Sequence, residues 1–116
     1  MEADRKARLV AAGINVDAAL ERFMGKDKML EKYLGRFLSE KSYAALLEAI
    51  AADDQAAAGA AVHTLKSVCG SIGCEKMQDM VVEQEKAIRG GNWEEAKSLM
   101  AGITQEYNNI CAALQA

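Results

Sequence analysis

Proline is absent from this chain of 116 residues, and aromatic side chains make up only 5% of it. With no proline, no helix is broken from within by a proline ring. No segment alternates apolar and polar residues for long enough to make a half-buried strand. No apolar run approaches the roughly 18 residues that a membrane span needs. The first twelve residues carry charges throughout and lack the apolar centre of a signal peptide, so a cytoplasmic location is expected. Basic residues are not in excess: the net charge of −3 argues against a nucleic-acid partner, which needs a concentrated positive patch. Three cysteines, Cys69, Cys74 and Cys111, form no CxxC pair, and an odd number without an export signal reads as reduced thiols. Cys69 and Cys111 fall near apolar stripes and read as core filling. One histidine with scattered cysteines does not make a zinc site, so neither metal nor cofactor is expected.

What is present is helix-forming: alanine, leucine, glutamate, lysine and methionine dominate. The length fits one domain, residues 1–116, of all-α class. Glycines and capping residues divide it. A first helix runs from about Ala3 to Ala12 and stops at Gly13. Asn15 or Asp17 caps a second, with Leu20, Phe23 and Met24 apolar, ending near Gly25. Asp27 opens a third, where Leu30, Tyr33, Leu34, Phe37 and Leu38 share a face. Ser42 opens a fourth, with Tyr43, Leu46, Leu47 and Ile50 inward. Asp53 and Asp54 start a fifth that runs to about Ile72, with Gly73 placed to end it. Met77, Met80, Val81, Gln84 and Ile88 mark the next, which stops at Gly90–Gly91. Asn92 with Glu95 resembles a capping box for the last. There Ala96, Met100, Ile103, Tyr107, Ile110 and Leu114 alternate spacings of four and three, the seam of a helix packed lengthwise. Short loops between such helices predict an antiparallel four-helix up-down bundle over about 27–115. Short helices over about 3–25 flank it. Met1 at the start and a last helix completed just before the end fit a free-standing protein; an excised segment would look the same. A monomer is expected.

The only histidine, His63, lies in Ala60-Ala61-Val62-His63-Thr64-Leu65-Lys66-Ser67-Val68-Cys69-Gly70-Ser71-Ile72-Gly73. At about 100° per residue, Ala58, Ala61, Val62, Val68, Cys69 and Ile72 fall within roughly 60° of Leu65, a buried stripe. His63 falls about 160° away, with Gly59, Ser67, Gly70 and Cys74 around it and Ser71 at the margin. A surface helix usually carries long charged residues there. Gly70 is the informative one, because a mid-helix glycine costs about 1 kcal/mol relative to alanine. Close approach of another surface would justify it; tight helix packing, or a terminus completed at Gly73, is equally consistent. Lys66, at i+3, is a helix-surface neighbour of His63. A neutral imidazole carries one ring nitrogen with a free lone pair, which can attack a phosphoryl group without a base. The ammonium of Lys66 can then pair with the added negative charge.

His63-Thr64-Leu65-Lys66, then Gly70, Ser71 and Gly73, resembles the signature of histidine phosphotransfer (HPt) domains. That family typically shows His-x-Leu-Lys-Gly, further small residues and a glycine ten positions after the histidine. The stretch Asp17 to Phe37 is similar to the family's N-terminal region, and Met77, Met80 and Glu85 to its next helix. The resemblance implies a helical bundle whose histidine accepts a phosphoryl group from a receiver-domain aspartate and passes it to another in a multistep His–Asp relay. Its partners would be receiver domains of response regulators and hybrid sensor histidine kinases. By the same resemblance His63 is the phosphoacceptor, Lys66 supports the phosphoryl charge, and Gly59, Ser67, Gly70 and Ser71 form the docking floor. Some members place a Gln or Glu 22 positions after the histidine, against the ring's other nitrogen. Glu85 stands at that offset; an ordinary solvated carboxylate is the competing reading. Ser67 departs from the family's usual glycine after the lysine.

Two other classes compete with the carrier: a docking module that binds receivers without phosphotransfer, and an enzyme. The chain has no nucleotide-binding glycine loop or kinase-type motif, so no ATP-dependent turnover chemistry is expected.

Overall fold

Three polar side chains begin helices in the computed structural model, which describes residues 1–116. Asn15 accepts from the Ala18 N–H at 3.1 Å, Asp54 from Ala57 at 3.1 Å and Asn92 from Glu95 at 3.4 Å. Each satisfies one of the amides that a helix start leaves without a partner. The helices are α1 (Ala3–Ala11), α2 (Val16–Arg22), α3 (Asp27–Phe37), α4 (Ser42–Ala51), α5 (Gln55–Ser71), α6 (Glu75–Arg89), α7 (Trp93–Ser98) and α8 (Met100–Gln115), with no strand.

The expected cap of α3 differs, while α4 opens at Ser42 as expected. Asp27 and Ser42 are the first helical residues of α3 and α4, and the capping positions Lys26 and Lys41 offer no side-chain bond. Asp27 still places a carboxylate at the positive end of the helix dipole. The Ser42 amide donates to the Glu40 carboxylate at 3.0 Å. The last predicted helix divides at Leu99. That residue keeps right-handed torsions (φ −76°, ψ −16°), and bonds from the Leu99 N–H to the Glu95 carbonyl and from the Ile103 N–H to the Leu99 carbonyl cross the junction. Helical hydrogen bonding carries across the junction between α7 and α8.

Helix α5 lies between α4 and α6; α6 also packs on α7 and α8, and α8 on α1 and α3. Each bundle helix returns through a three-residue turn, so neighbours run antiparallel. This is the up-down bundle, with α7 and α8 together as its fourth rod. Leu46, Leu65, Met77, Val81, Ile103 and Ile110 meet in its fully buried centre. Leu47, read as inward, is exposed, as are Leu38, placed on the apolar face of α3, and Met24, counted among the apolar residues of α2 and 83% exposed. Met24 sits in the turn after α2 with φ +57°, outside any helical stripe. On α4, Tyr43, Leu46, Ala49 and Ile50 take the core face and leave Leu47 about 100° away from Leu46.

The end of α5 is pinned. Gly73 has φ +78°, a left-handed conformation open to glycine, and its carbonyl accepts from the Asn15 N–H at 2.7 Å. This bond ties the α1–α2 loop to the helix that carries His63. Because α5 stops at Ser71, Cys74 leaves its wheel: expected beside His63, it is instead fully buried at the start of α6. Burial, reinforced by Glu106, pushes the Cys69 thiol up to about 12, and burial raises that of Cys74 as well. Both are inert core side chains at neutral pH.

Candidate functional site

On α5 the stripe Ala58, Ala61, Val62, Leu65, Cys69 and Ile72 is buried, with Val68 half-buried at its margin. The rotation that buries Leu65 turns His63 outward, its side chain 57% exposed. Antiparallel pairing with α6 then sets which residue meets the ring. His63 Nδ1 lies 3.0 Å from Glu85 Oε2. Lys66 Nζ donates to Glu85 Oε1 at 2.6 Å, and Arg89 Nη2, one turn along α6, to Oε2 at 3.2 Å.

Glu85 is therefore no solvated carboxylate; only 9% of its side chain is exposed. Burial alone would push its carboxyl upward. Hydrogen bonds from Lys66, then from His63 and Arg89, outweigh burial and hold it at about 2, so it is ionised at neutral pH. An ionised carboxylate only accepts. The neutral imidazole must therefore carry its proton on Nδ1, which leaves Nε2 with a lone pair on the side away from Glu85. That is the geometry of an outward-facing nucleophile with a fixed tautomer.

The small residues separate into two groups. Ser67 and Ser71 are exposed, their hydroxyls donating back to the carbonyls of His63 (3.4 Å) and Ser67 (2.9 Å). Gly59 and Gly70 face α6. A Cβ on Gly59 would lie 3.7 Å from Ile88 Cγ2, an ordinary contact. A Cβ on Gly70 would lie 2.6 Å from Gln78 Nε2, so the missing side chain makes room for the end of Gln78. Gln78 in turn donates to the Lys66 carbonyl at 3.5 Å. Gln78 Nε2 is the far end of a flexible side chain, so Gly70 accommodates Gln78 without packing alone requiring a glycine there. Arg22, from α2, adds a hydrogen bond from its guanidinium to the Gly70 carbonyl.

Three residues beside the site were not singled out from the sequence: Arg22, Gln78 and Arg89. Arg89 had a signal, since it lies four residues after Glu85 on the same helix face. Gln78 lies seven before Glu85, two turns back on that face. Arg22 depends on how α2 folds over the bundle and had none. Beyond Ser71 a cavity of about 480 Å³ opens, walled by Phe23, Tyr33, Arg36, Val68 and Ile72. No cluster of three His, Cys, Asp or Glu side chains could hold a metal ion, and no helix is long and apolar enough to cross a membrane.

The family model of the Hpt domain matches residues 32–115, well over half of the chain. No curated protein and no solved structure matches it.

Proposed function

The chain belongs to the Hpt domain family of phosphorelay histidine carriers, and on that premise we propose that His63 accepts a phosphoryl group from a receiver-domain aspartate and passes it to another receiver. The observation that carries this reading is the contact between Glu85 and His63 Nδ1, which leaves Nε2 free and facing solvent. In the forward step the Nε2 lone pair forms the N–P bond. The P–O bond of the aspartyl phosphate breaks, and its electron pair stays on the aspartate carboxylate. The reverse step returns the pair to Nε2. The ring loses no proton at the attacking atom, so no general base is needed on this chain.

Lys66 is the charge support. In the resting protein its ammonium is held by Glu85, and its four-carbon stem lets it turn toward a phosphoryl group on the ring. Arg89 keeps Glu85 compensated while Lys66 is away. The partners are receiver domains of response regulators and hybrid sensor histidine kinases, docking on the exposed small residues Ser67 and Ser71 and on the apolar cavity beside them. Gly59 and Gly70 complete the floor of small residues on the same helix, Gly70 leaving space that the end of Gln78 occupies in the resting protein. The carrier works as a monomer and has no turnover chemistry of its own.

Transfer from a panel of phosphorylated receiver domains, run beside His63→Gln, tests the reading. Acid-labile label on the wild type alone supports the carrier. Receiver binding without label on either protein would replace it with a docking module.

A further inference from the structure

A Cβ on Gly70 would meet only the amide end of Gln78, with Nε2 at 2.6 Å, Cδ at 3.5 Å and Oε1 at 3.8 Å. That end is flexible and would turn aside for an alanine. The helix nevertheless keeps its least favourable residue short of proline there. Little holds the amide in its seat. Its one side-chain hydrogen bond, from Nε2 to the Lys66 carbonyl, is 3.5 Å long, beyond the usual range of roughly 2.7–3.2 Å. Fixing a glutamine in one rotamer costs side-chain entropy, and so long a bond offsets little of it. Gln78 is half-buried, so its way out leads to solvent. The amide is a loose cover over Gly70.

What it covers is lined by acceptors. The Lys66 carbonyl faces the amide. The hydroxyls of Ser67 and Ser71 already donate to the carbonyls of His63 and Ser67, so only their lone pairs are free. Two cations flank the place: the Arg22 guanidinium on the Gly70 carbonyl and the ammonium of Lys66, one turn earlier on α5. They disfavour a third positive charge. The seat of the Gln78 amide therefore suits an uncharged N–H donor, a backbone amide or the side chain of an asparagine or glutamine. Gly70 lies seven residues past His63, about 10 Å along the helix axis. That is well inside the footprint of a protein docked at His63, which covers about 800 Å² in a standard interface.

Resting on the reading of this chain as a carrier that docks receivers beside Ser67 and Ser71, we propose that Gln78 is a specificity-determining residue: a displaceable cover over Gly70, whose place on the Lys66 carbonyl an uncharged N–H donor of the receiver takes when the two proteins dock. One long hydrogen bond is broken and a better one is made, so a matching receiver opens the cover at little cost. A receiver that presents a cationic group there meets Arg22 and Lys66, and one that presents an apolar group displaces Gln78 without replacing its bond. The glycine is needed because any Cβ would stand where the donor must come. The Lys66 side chain takes no part in this exchange, which uses its carbonyl alone.

Gln78→Ala, Gly70→Ala and the double variant test this. KM and kcat are measured for transfer from a phosphorylated receiver domain that labels the wild type. Each protein is normalised by its labelling with phosphoramidate, a donor too small to reach Gly70. Gln78→Ala should lower KM about threefold at constant kcat, because the cover no longer has to be displaced. Gly70→Ala should raise KM about fivefold, the worth of one hydrogen bond, and should do so in the Gln78→Ala background as well. The double variant should meanwhile unfold no earlier than Gln78→Ala, since alanine replaces a helical glycine, so the loss is one of docking and not of folding. If Gly70→Ala leaves KM unchanged in the Gln78→Ala background, Gly70 serves Gln78 alone and the proposal falls. It falls equally if Gln78→Ala leaves KM unchanged or raises it, which would make Gln78 a bystander or a contact. Either result leaves His63 as acceptor. A wild type labelled by phosphoramidate and by no receiver would instead remove the docking on which the proposal rests.

Discussion

Replacing Gly73 with alanine should destabilise the protein more than any other single methyl added to the His63 helix or its end. The backbone there has φ +78°, where an L residue costs roughly 1–2 kcal/mol. The new Cβ would lie 2.7 Å from the Asn15 carbonyl oxygen and 3.2 Å from Ala19 Cβ. Neither neighbour is a flexible side-chain end. Relief requires the α1–α2 loop to move, and with it the 2.7 Å bond from the Asn15 N–H to the Gly73 carbonyl, whose loss adds about 1 kcal/mol. The expected cost is about 2–4 kcal/mol, a drop in Tm on the order of 10 °C for a chain of this length. Urea and thermal unfolding followed by far-UV circular dichroism measure it. The folded fraction should still accept phosphoryl, since Gly73 lies about 15 Å along the chain's helix path from His63. A loss below about 0.5 kcal/mol would refute the reasoning, because it would mean that α5 does not end against the α1–α2 loop in a left-handed turn.

Gly59→Ala should do the opposite and stabilise by up to about 1 kcal/mol, because its Cβ meets only Ile88 at an ordinary 3.7 Å; denaturant midpoints decide this. Lys66→Ala should slow transfer and shorten the phosphohistidine lifetime by roughly tenfold without abolishing acceptance, as expected for loss of one point charge near the phosphoryl group and readable by quenched-flow labelling. Acid should weaken the fold partly through Glu85. Its folded-state carboxyl at about 2 lies below the ordinary carboxylate value, so its contribution is complete above about pH 5 and is lost as pH falls toward 2. In urea titrations over that window, wild type should lose more stability than Glu85→Gln, and parallel loss would contradict the assignment.

Much of the architecture was legible because it rests on local chemistry. Asn15, Asp54 and Asn92 announce helix starts through side chains that bond amides three residues on, and Gly13 and Gly73 announce ends through positive φ. Asp27 misled by one position, because its carboxylate also favours the first turn, at the positive end of the helix dipole. The outward turn of His63 followed from its own helix, whose apolar stripe fixes the rotation. What the wheel of α5 could not carry was anything set by α6. The burial of Glu85, its hold on both His63 and Lys66, and the seat of Gln78 over Gly70 all depend on the register between two helices. Offset in sequence placed Glu85 near the ring only through the family resemblance. Cys74 went astray for a related reason: a wheel drawn past Ser71 describes a helix that has already ended. Leu47 lay outside because alanine at 49 and isoleucine at 50 complete the α4 core face without it.

The measurement that bears most directly on the central claim is the position of the phosphoryl group after transfer from a phosphorylated receiver. The chain is digested at neutral pH, and the acid-labile label is mapped by mass spectrometry. The account expects a single modified peptide, carrying the phosphoryl group on His63, and none in a His63→Gln protein that retains its helical circular dichroism. Label on any other residue, or label persisting in the His63→Gln protein, would contradict it.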